Sequence, residues 1–269
     1  MVHPLDGVQA KLDRAFEHGK ALREEIRSLD QNEFYETFQN PRPKLGADGV
    51  FWLDGYLRVL KEPPLKLGII AGDCAHNLRG SLDHLVYQMA ILDSRKSRAK
   101  PQGTFFPIAR NDREYRVAKS DEAPCLRDRA LAGIIEEHRA FVDAEQPYAP
   151  TAPPGPFEGH PLLALSSFSN TDKHRVIHAA VLRPVRVESF PLGEDFPIEV
   201  RLPRKQPNII GDGAHIYSLG VRPTKPDMNM QTNLVYGLGL GNRGLMDNDL
   251  LNICLYVAKL IDRFRPLFP

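Results

Sequence analysis

The sequence predicts an α+β fold in which a bundle of four main helices packs with an antiparallel β-sheet. Long segments near both ends repeat apolar residues every three or four positions, as amphipathic helices do. Between residues 174 and 238, short apolar runs are separated by turns rich in proline and glycine, which is typical of antiparallel strands. Helices followed by strands and a closing helix indicate an α+β protein.

Each element follows from its local pattern. Helical spacing predicts helices over residues 5–31, 64–92, 126–144, 162–168 and 246–264. Alternation and turn residues predict a hairpin around Asp54-Gly55 and further strands at 104–108, 176–190, 198–202, 214–221 and 232–238. We expect a basic loop at 94–102 and a turn at 169–175. No long polar linker interrupts the chain, so we expect one compact domain over 1–269, with a helical part (5–168 plus 246–265) and a β-rich part (174–238).

Composition narrows the class of protein. The chain has 269 residues, is 42% hydrophobic and carries a net charge of +1, so a core is expected but binding of nucleic acid through net charge is not. The three cysteines, Cys74, Cys125 and Cys254, are too far apart for a disulfide framework or a zinc ribbon. No secretory signal or membrane-length apolar stretch is visible, so we expect a cytoplasmic protein without a membrane partner.

A dinucleotide site is not expected. The segment Gly239–Gly244 matches the glycine pattern of such sites, but the residues after it offer no second strand with an acidic end. The glycines fit a strand-to-helix turn. We therefore expect no cofactor.

The helix predicted at 64–92 has an unusual polar face. At about 100° per residue, one stripe of this helix carries Asp73, Asn77, Gly80, His84 and Tyr87, and His76 and Asp83 lie beside it. The Asp, Asn, His and Tyr side chains are of the types that bind metals, move protons or hold phosphates. The opposite face is apolar and should be buried: Cys74, Leu78, Leu82, Leu85 and Met89.

Arg79 and His84 have the Arg-x4-His spacing. This spacing resembles the signature of HEPN domains, which are helical bundles, often dimeric, and in many cases metal-independent ribonucleases. The resemblance implies that His84 transfers protons as the catalytic residue, that Arg79 stabilises charge on the scissile phosphate, and that His76 and Asn77 position RNA. It also implies an endoribonuclease that works as a homodimer without a metal, with a toxin or defence effector as the expected setting.

Helical geometry favours a different role for Arg79. Arg79 and His84 lie about 140° apart around an ideal helix, so a shared site requires a second copy or a helix distortion. Asp83, four residues after Arg79, could form a salt bridge with it. In that alternative His84 is a buried, hydrogen-bonded histidine.

A second polar cluster follows the helix predicted at 162–168. It comprises Asn170, Asp172, Lys173, His174 and Arg175. As the start of a strand, it would direct Asp172 and His174 to one side, and Lys173 and Arg175 to the other. Together with Asp73, we expect this cluster to line the substrate site, where Lys173 or Arg175 would contact an RNA phosphate. The alternative is a solvated structural turn.

Four segments together resemble an uncharacterised, mostly actinobacterial protein family. They are Gly72–His84, Phe106-Pro107-Ile108, Gln146-Pro147-Tyr148 and Asn170–Arg175. The resemblance covers most of residues 7–180 and implies no activity.

Two other functions stay open. The first alternative is a non-catalytic binding or structural protein, in which the Asp, His, Asn and Arg clusters form a buried polar network. The second alternative is a metal-dependent hydrolase that uses His84 with Asp172 or His174. The motif helix lacks the His-x3-His spacing of a dedicated zinc site, so we predict no metal ligands from the sequence.

Overall fold

A computed structural model describes residues 3–30, 33–40, 44–97, 103–118, 120, 123–150, 159–174, 179–191, 197–201, 212–221, 230–240 and 247–268. Over these residues the chain is α+β, which confirms the predicted fold class. The chain divides into two compact units, one formed by residues 1–23, 69–177 and 248–269 and the other by residues 24–68 and 178–247. A single domain over 1–269 stays a prediction.

The helices occur largely where apolar periodicity predicts them. In chain order they are α1 (Asp6–Ser28), α2 (Leu65–Ser97), α3 (Asp112–Arg116), α4 (Leu126–Ala130), α5 (Glu136–Ala144), α6 (Pro161–His174) and α7 (Asp247–Phe264). A 3-10 turn, Arg265–Leu267, follows α7.

The core of the first unit contains α1, α2 and α7. The predicted apolar face of α2 is confirmed, because Cys74, Leu78, Leu82, Leu85 and Met89 are all fully buried. Gly19 lets α1 approach α7 closely, since a Cβ there would lie 2.8 Å from a methyl carbon of Leu251. Removing these apolar side chains from water is the main stabilisation of the helical unit.

The strands belong to the second unit and pair antiparallel. They are β1 (Tyr35–Gln39), β2 (Lys44–Leu45), β3 (Phe51–Val59), β4 (Ala179–Pro191), β5 (Pro197–Arg201), β6 (His215–Val221) and β7 (Met230–Leu240). One sheet has the order β1-β3-β6-β5, with β2 also paired to β3, and β4 pairs with β7 as a two-stranded ribbon.

The hairpin predicted at Asp54-Gly55 is wrong. Both residues lie within β3, which runs continuously from Phe51 to Val59 and has a bulge between Gly55 and Tyr56. The glycine serves packing and makes no turn here, because a Cβ at Gly55 would lie 2.1 Å from the ring of Tyr217 on β6. A glycine in a strand marks such a close approach as readily as a turn.

Three more local predictions need correction. The helix predicted at 126–144 is two helices, since Gly133 adopts φ +80° between α4 and α5. Residues 104–108 form no strand with any described residue. The turn predicted at 169–175 is helical through His174, because no glycine or proline interrupts residues 162–174.

The helical conformation of residues 169–174 changes which residues of the second polar cluster lie on the same side. On a helix, Asp172 and His174 lie about 200° apart and do not share the face that a strand would give them. The loop predicted at 94–102 is helical up to Ser97. Residues 98–102, Arg175 and residues 241–246 also carry predictions, and they lie outside the described residues.

Candidate functional site

The residues of α2 that were predicted as catalytic point in different directions. His84 is exposed and lies beside α1, where its Nδ1 would be 3.6 Å from a Cβ placed on Gly7. The side chain of Arg79 is 17% exposed and reaches instead toward Phe106. Since α2 is continuous through both residues, helix distortion does not bring them together.

Arg79 and Asp83 bind both backbone polar groups of Phe106. The Nη2 of Arg79 donates to the Phe106 carbonyl at 2.6 Å, and the Phe106 N–H donates to Asp83 Oδ1 at 2.9 Å. The two side chains also form the ion pair that their spacing predicts, at 3.2 Å. The pair therefore fixes residues 104–109, which form neither a helix nor a strand, against α2.

Gln146 holds the same segment from the opposite side. Its fully buried amide accepts a hydrogen bond from the Ala109 N–H at 3.1 Å and donates to the Pro107 carbonyl at 2.9 Å. The backbone of residues 106–109 thus pairs with side chains where a strand would pair with another strand. Phe106-Pro107-Ile108, one of the four segments that carry the family resemblance, is therefore in contact with two others, Gly72–His84 and Gln146-Pro147-Tyr148.

A cavity of about 330 Å³ opens beside this segment. Its lining comes from α2, residues 104–109, the start of α4 and α6: Arg79, Asp83, Phe105, Ile108, Leu126, Ser166, Ser169 and Asn170. Arg79 and Asn170 were predicted as site residues from separate clusters, and both lie at this cavity.

Five of the lining residues were missed as site residues by sequence reasoning: Phe105, Ile108, Leu126, Ser166 and Ser169. Ser166 lies one helical turn before Asn170, so a helix continuing through residue 174 is the signal that would have found it. The polar part of the lining could be predicted only with the correct C-terminal end of α6.

His160 fixes the start of α6. Its Nδ1 accepts a hydrogen bond from the Leu162 N–H at 3.2 Å, which caps the helix, and its Nε2 lies 3.1 Å from the hydroxyl of Tyr256. Because Nδ1 is an acceptor, Nε2 carries the hydrogen and donates to Tyr256. Burial lowers the pKa of His160, although nearby Glu145 opposes this effect. The neutral imidazole thus orients α6, and with it the serines of the cavity.

The start of α4 is anchored by a buried cation. Arg127, adjacent to Leu126, donates to Asp143 at 2.9 Å and also pairs with Glu136. Burial alone would raise the pKa of Asp143, but hydrogen bonds from Arg127 and Tyr115 hold it below its usual value. The carboxylate stays ionised, and the cavity wall at Leu126 is fixed in position.

The other predicted site residues have separate locations. Asp73 and His76 are exposed on α2, and Asn77 is half-buried with its Nδ2 donating to the Asp73 carbonyl at 2.8 Å. Asp172, Lys173 and His174 lie in the last turn of α6, and their side chains are outside the described part of the structure, as is Arg175. The structure thus brings together Arg79, Asp83 and Asn170.

Lys11 is another residue that sequence reasoning missed. A Cβ placed on Gly80 would lie 3.4 Å from its Nζ. Gly80 and His84 are one helical turn apart, so the ammonium group lies near the exposed face that carries His84. The amphipathic pattern of α1 gave no signal for this, because the neighbour of Lys11 belongs to another helix.

The described residues contain no cluster of three or more His, Cys, Asp or Glu side chains suited to a metal ion. None of the helices described is both long and apolar enough to cross a membrane.

The chain matches no protein-family model, no curated protein and no solved structure. Both resemblances stay predictions that rest on their motifs.

The contacts of Asp83 predict a loss of stability when its carboxylate is removed. Asp83→Ala leaves the Phe106 N–H without its acceptor and Arg79 without its ion pair, so we expect the free energy of unfolding to fall by about 1–3 kcal/mol. Asp73→Ala, an exposed site on the same helix, should change it by less than about 0.5 kcal/mol. Urea denaturation measures both variants, and equal effects would contradict the holding role of Asp83.

The buried histidine predicts a pH dependence of stability. Because the folded-state pKa of His160 is below its usual 6.5, only the unfolded chain takes up a proton as the pH falls through that value, so stability decreases. His160→Asn keeps a helix-capping oxygen but does not titrate. Between pH about 7.5 and about 5.5, wild type should therefore lose more unfolding free energy than His160→Asn. Parallel loss in the two proteins would show that His160 is not responsible.

Proposed function

We propose that this protein is a non-catalytic binding protein whose cavity beside Arg79 and Asp83 receives a small polar molecule. The observation that carries the proposal is that members of two separately predicted clusters, Arg79 with Asp83 on α2 and Asn170 on α6, line the same cavity. Ligand sites are concave, with apolar walls and a few convergent polar groups. Here Phe105, Ile108 and Leu126 form the apolar part of the lining.

The chemistry of the lining favours recognition over catalysis. Ser166 and Ser169 are the hydroxyls at the cavity, and its described lining contains no histidine, cysteine or lysine that would activate them as nucleophiles. Arg79 and Asp83 form an ion pair with each other, and both also hold Phe106. Such groups orient a ligand through hydrogen bonds without transferring a proton from it.

The cysteines support a reducing compartment, and we propose the bacterial cytoplasm. Cys74 and Cys254 are fully buried thiols whose sulfur atoms are 3.8 Å apart. Their mutual hydrogen bond, and then burial, raise the pKa of Cys74, so its thiol stays protonated and unreactive.

Blocking the cavity tests the binding role. Wild type should bind at least one member of a panel of small amides, polyols, carboxylic acids, amines and α-amino acids, as detected by saturation-transfer NMR on the full chain. Ser166→Phe should abolish that binding because the ring fills the cavity, whereas Ser167→Phe, one residue along α6 and outside the lining, should retain it. The proposal fails if wild type binds nothing, or if both variants bind as wild type does, with circular dichroism confirming that each is folded.

RNA cleavage by a HEPN-like mechanism is the second candidate, and one observation favours it. His84 is exposed, and the Lys11 ammonium lies near its face of α2. The exposed imidazole can transfer protons, and a cation on the same surface can stabilise the charge of a phosphodiester. In this mechanism Lys11 stabilises the charge on the scissile phosphate, which is the role predicted from the sequence for Arg79. A homodimer would supply a second His84.

An assay of RNA cleavage in excess EDTA tests the second candidate. Wild type should cleave, and His84→Ala should be slower by at least about a hundredfold, because it lacks the general acid–base group. Its melting temperature should stay within a few degrees, since His84 is exposed. Lys11→Ala should also slow cleavage, whereas Arg14→Ala removes an α1 cation paired with Glu17 and should not. Cleavage by His84→Ala at the wild-type rate would exclude this mechanism.

A further inference from the structure

We infer that the cavity binds a zwitterion of the α-amino-acid type, with the ligand carboxylate at Arg79 and the ligand ammonium at Asp83. This inference rests on the proposed binding function and names its ligand class. The first ground is charge. The described lining contains one cation and one anion, so a ligand with a net charge would leave one of its own or the protein's charges without a partner.

The second ground is the geometry of the ion pair. Arg79 Nη2 and Asp83 Oδ1 are 3.2 Å apart, so the two opposite charges lie side by side at the cavity. An α-amino acid carries its ammonium and carboxylate on one carbon, and these groups also lie side by side. Placed against the pair in the reverse sense, each ligand charge meets its opposite.

The third ground is the capacity that the pair retains. Its contacts with described residues, Phe106 included, use Nη2 of Arg79 and Oδ1 of Asp83. A guanidinium has five N–H groups, and a carboxylate has two oxygen atoms. Arg79 thus has further donors for a carboxylate, and Asp83 has Oδ2 for an ammonium.

The rest of the lining fits the remainder of such a ligand. At about 30 Å³ per water, the cavity of about 330 Å³ has room for roughly eleven waters, which is enough space for an amino acid of the size of valine or leucine. Phe105, Ile108 and Leu126 provide apolar surface for an aliphatic side chain. Ser166, Ser169 and Asn170 offer hydrogen bonds to a hydroxyl group or to the carboxylate.

Calorimetric titration of the full chain with matched probes tests the ligand class. The probes are leucine, valine, threonine and methionine, each with its deaminated carboxylic acid and its decarboxylated amine. At least one amino acid should bind, and both of its analogues should bind at least about tenfold more weakly, because each offers an opposite charge to only one of the two cavity charges. An analogue or a neutral amide that binds as tightly as the best amino acid overturns the zwitterion assignment but leaves the binding function intact. If no probe of any class binds, both fail.

Asp83→Asn separates ligand recognition from support of the fold. The amide oxygen can still accept from the Phe106 N–H, but the charge that would face an ammonium is gone. The preference should therefore reverse, with the carboxylic acid binding more tightly than its amino acid. A purely structural role would weaken all probes alike, and an unchanged order of affinities would overturn the inference. Asp73→Asn, an exposed carboxylate on the same helix, is the control.

Discussion

Arg79 and Asp83 supply hydrogen-bond partners to a backbone segment that has no neighbouring strand among the described residues. Residues 104–109 form neither a helix nor a strand, so no described strand pairs with them. Buried N–H and C=O groups must still find partners, and one without a partner costs about 1–3 kcal/mol. Arg79, Asp83 and Gln146 supply these partners, so three polar side chains perform the work of a neighbouring strand.

The cavity is a geometric consequence of this arrangement. A paired strand would lie within about 5 Å of its neighbour and leave little room. Side chains that reach across from α2 hold the segment with space on one flank, and α6 encloses that space. The position of α6 depends in turn on His160, whose neutral ring caps the helix and meets Tyr256 on α7. Polar contacts that stabilise the fold therefore also determine which groups surround the cavity.

Sequence reasoning was most successful where one element determines the outcome. The buried face of α2 and the Arg79–Asp83 pair follow from helical spacing alone, and the structure contains both. It failed where a neighbour in space decides. Gly55 suggests a turn until the ring of Tyr217 occupies the place of its Cβ. Ser166 and Ser169 became site candidates only once α6 extended through His174, because helix boundaries respond to tertiary contacts that a local pattern does not contain.

The separation of Arg79 from His84 shows how a short motif can combine two roles on one helix. Five residues of α-helix turn the chain by about 140°, so a spacing conserved for a shared site would require another molecule to bring the two side chains together. In this chain, Arg79 is committed to Phe106 and Asp83 on one flank, while His84 is exposed beside α1 on another. To reach a phosphate bound at His84, the Arg79 side chain would have to leave the Phe106 carbonyl without its donor. That cost opposes the use of Arg79 in catalysis at His84. Lys11 bears no comparable commitment to a backbone group among the described residues, so any phosphate chemistry at His84 would draw on α1 for its positive charge.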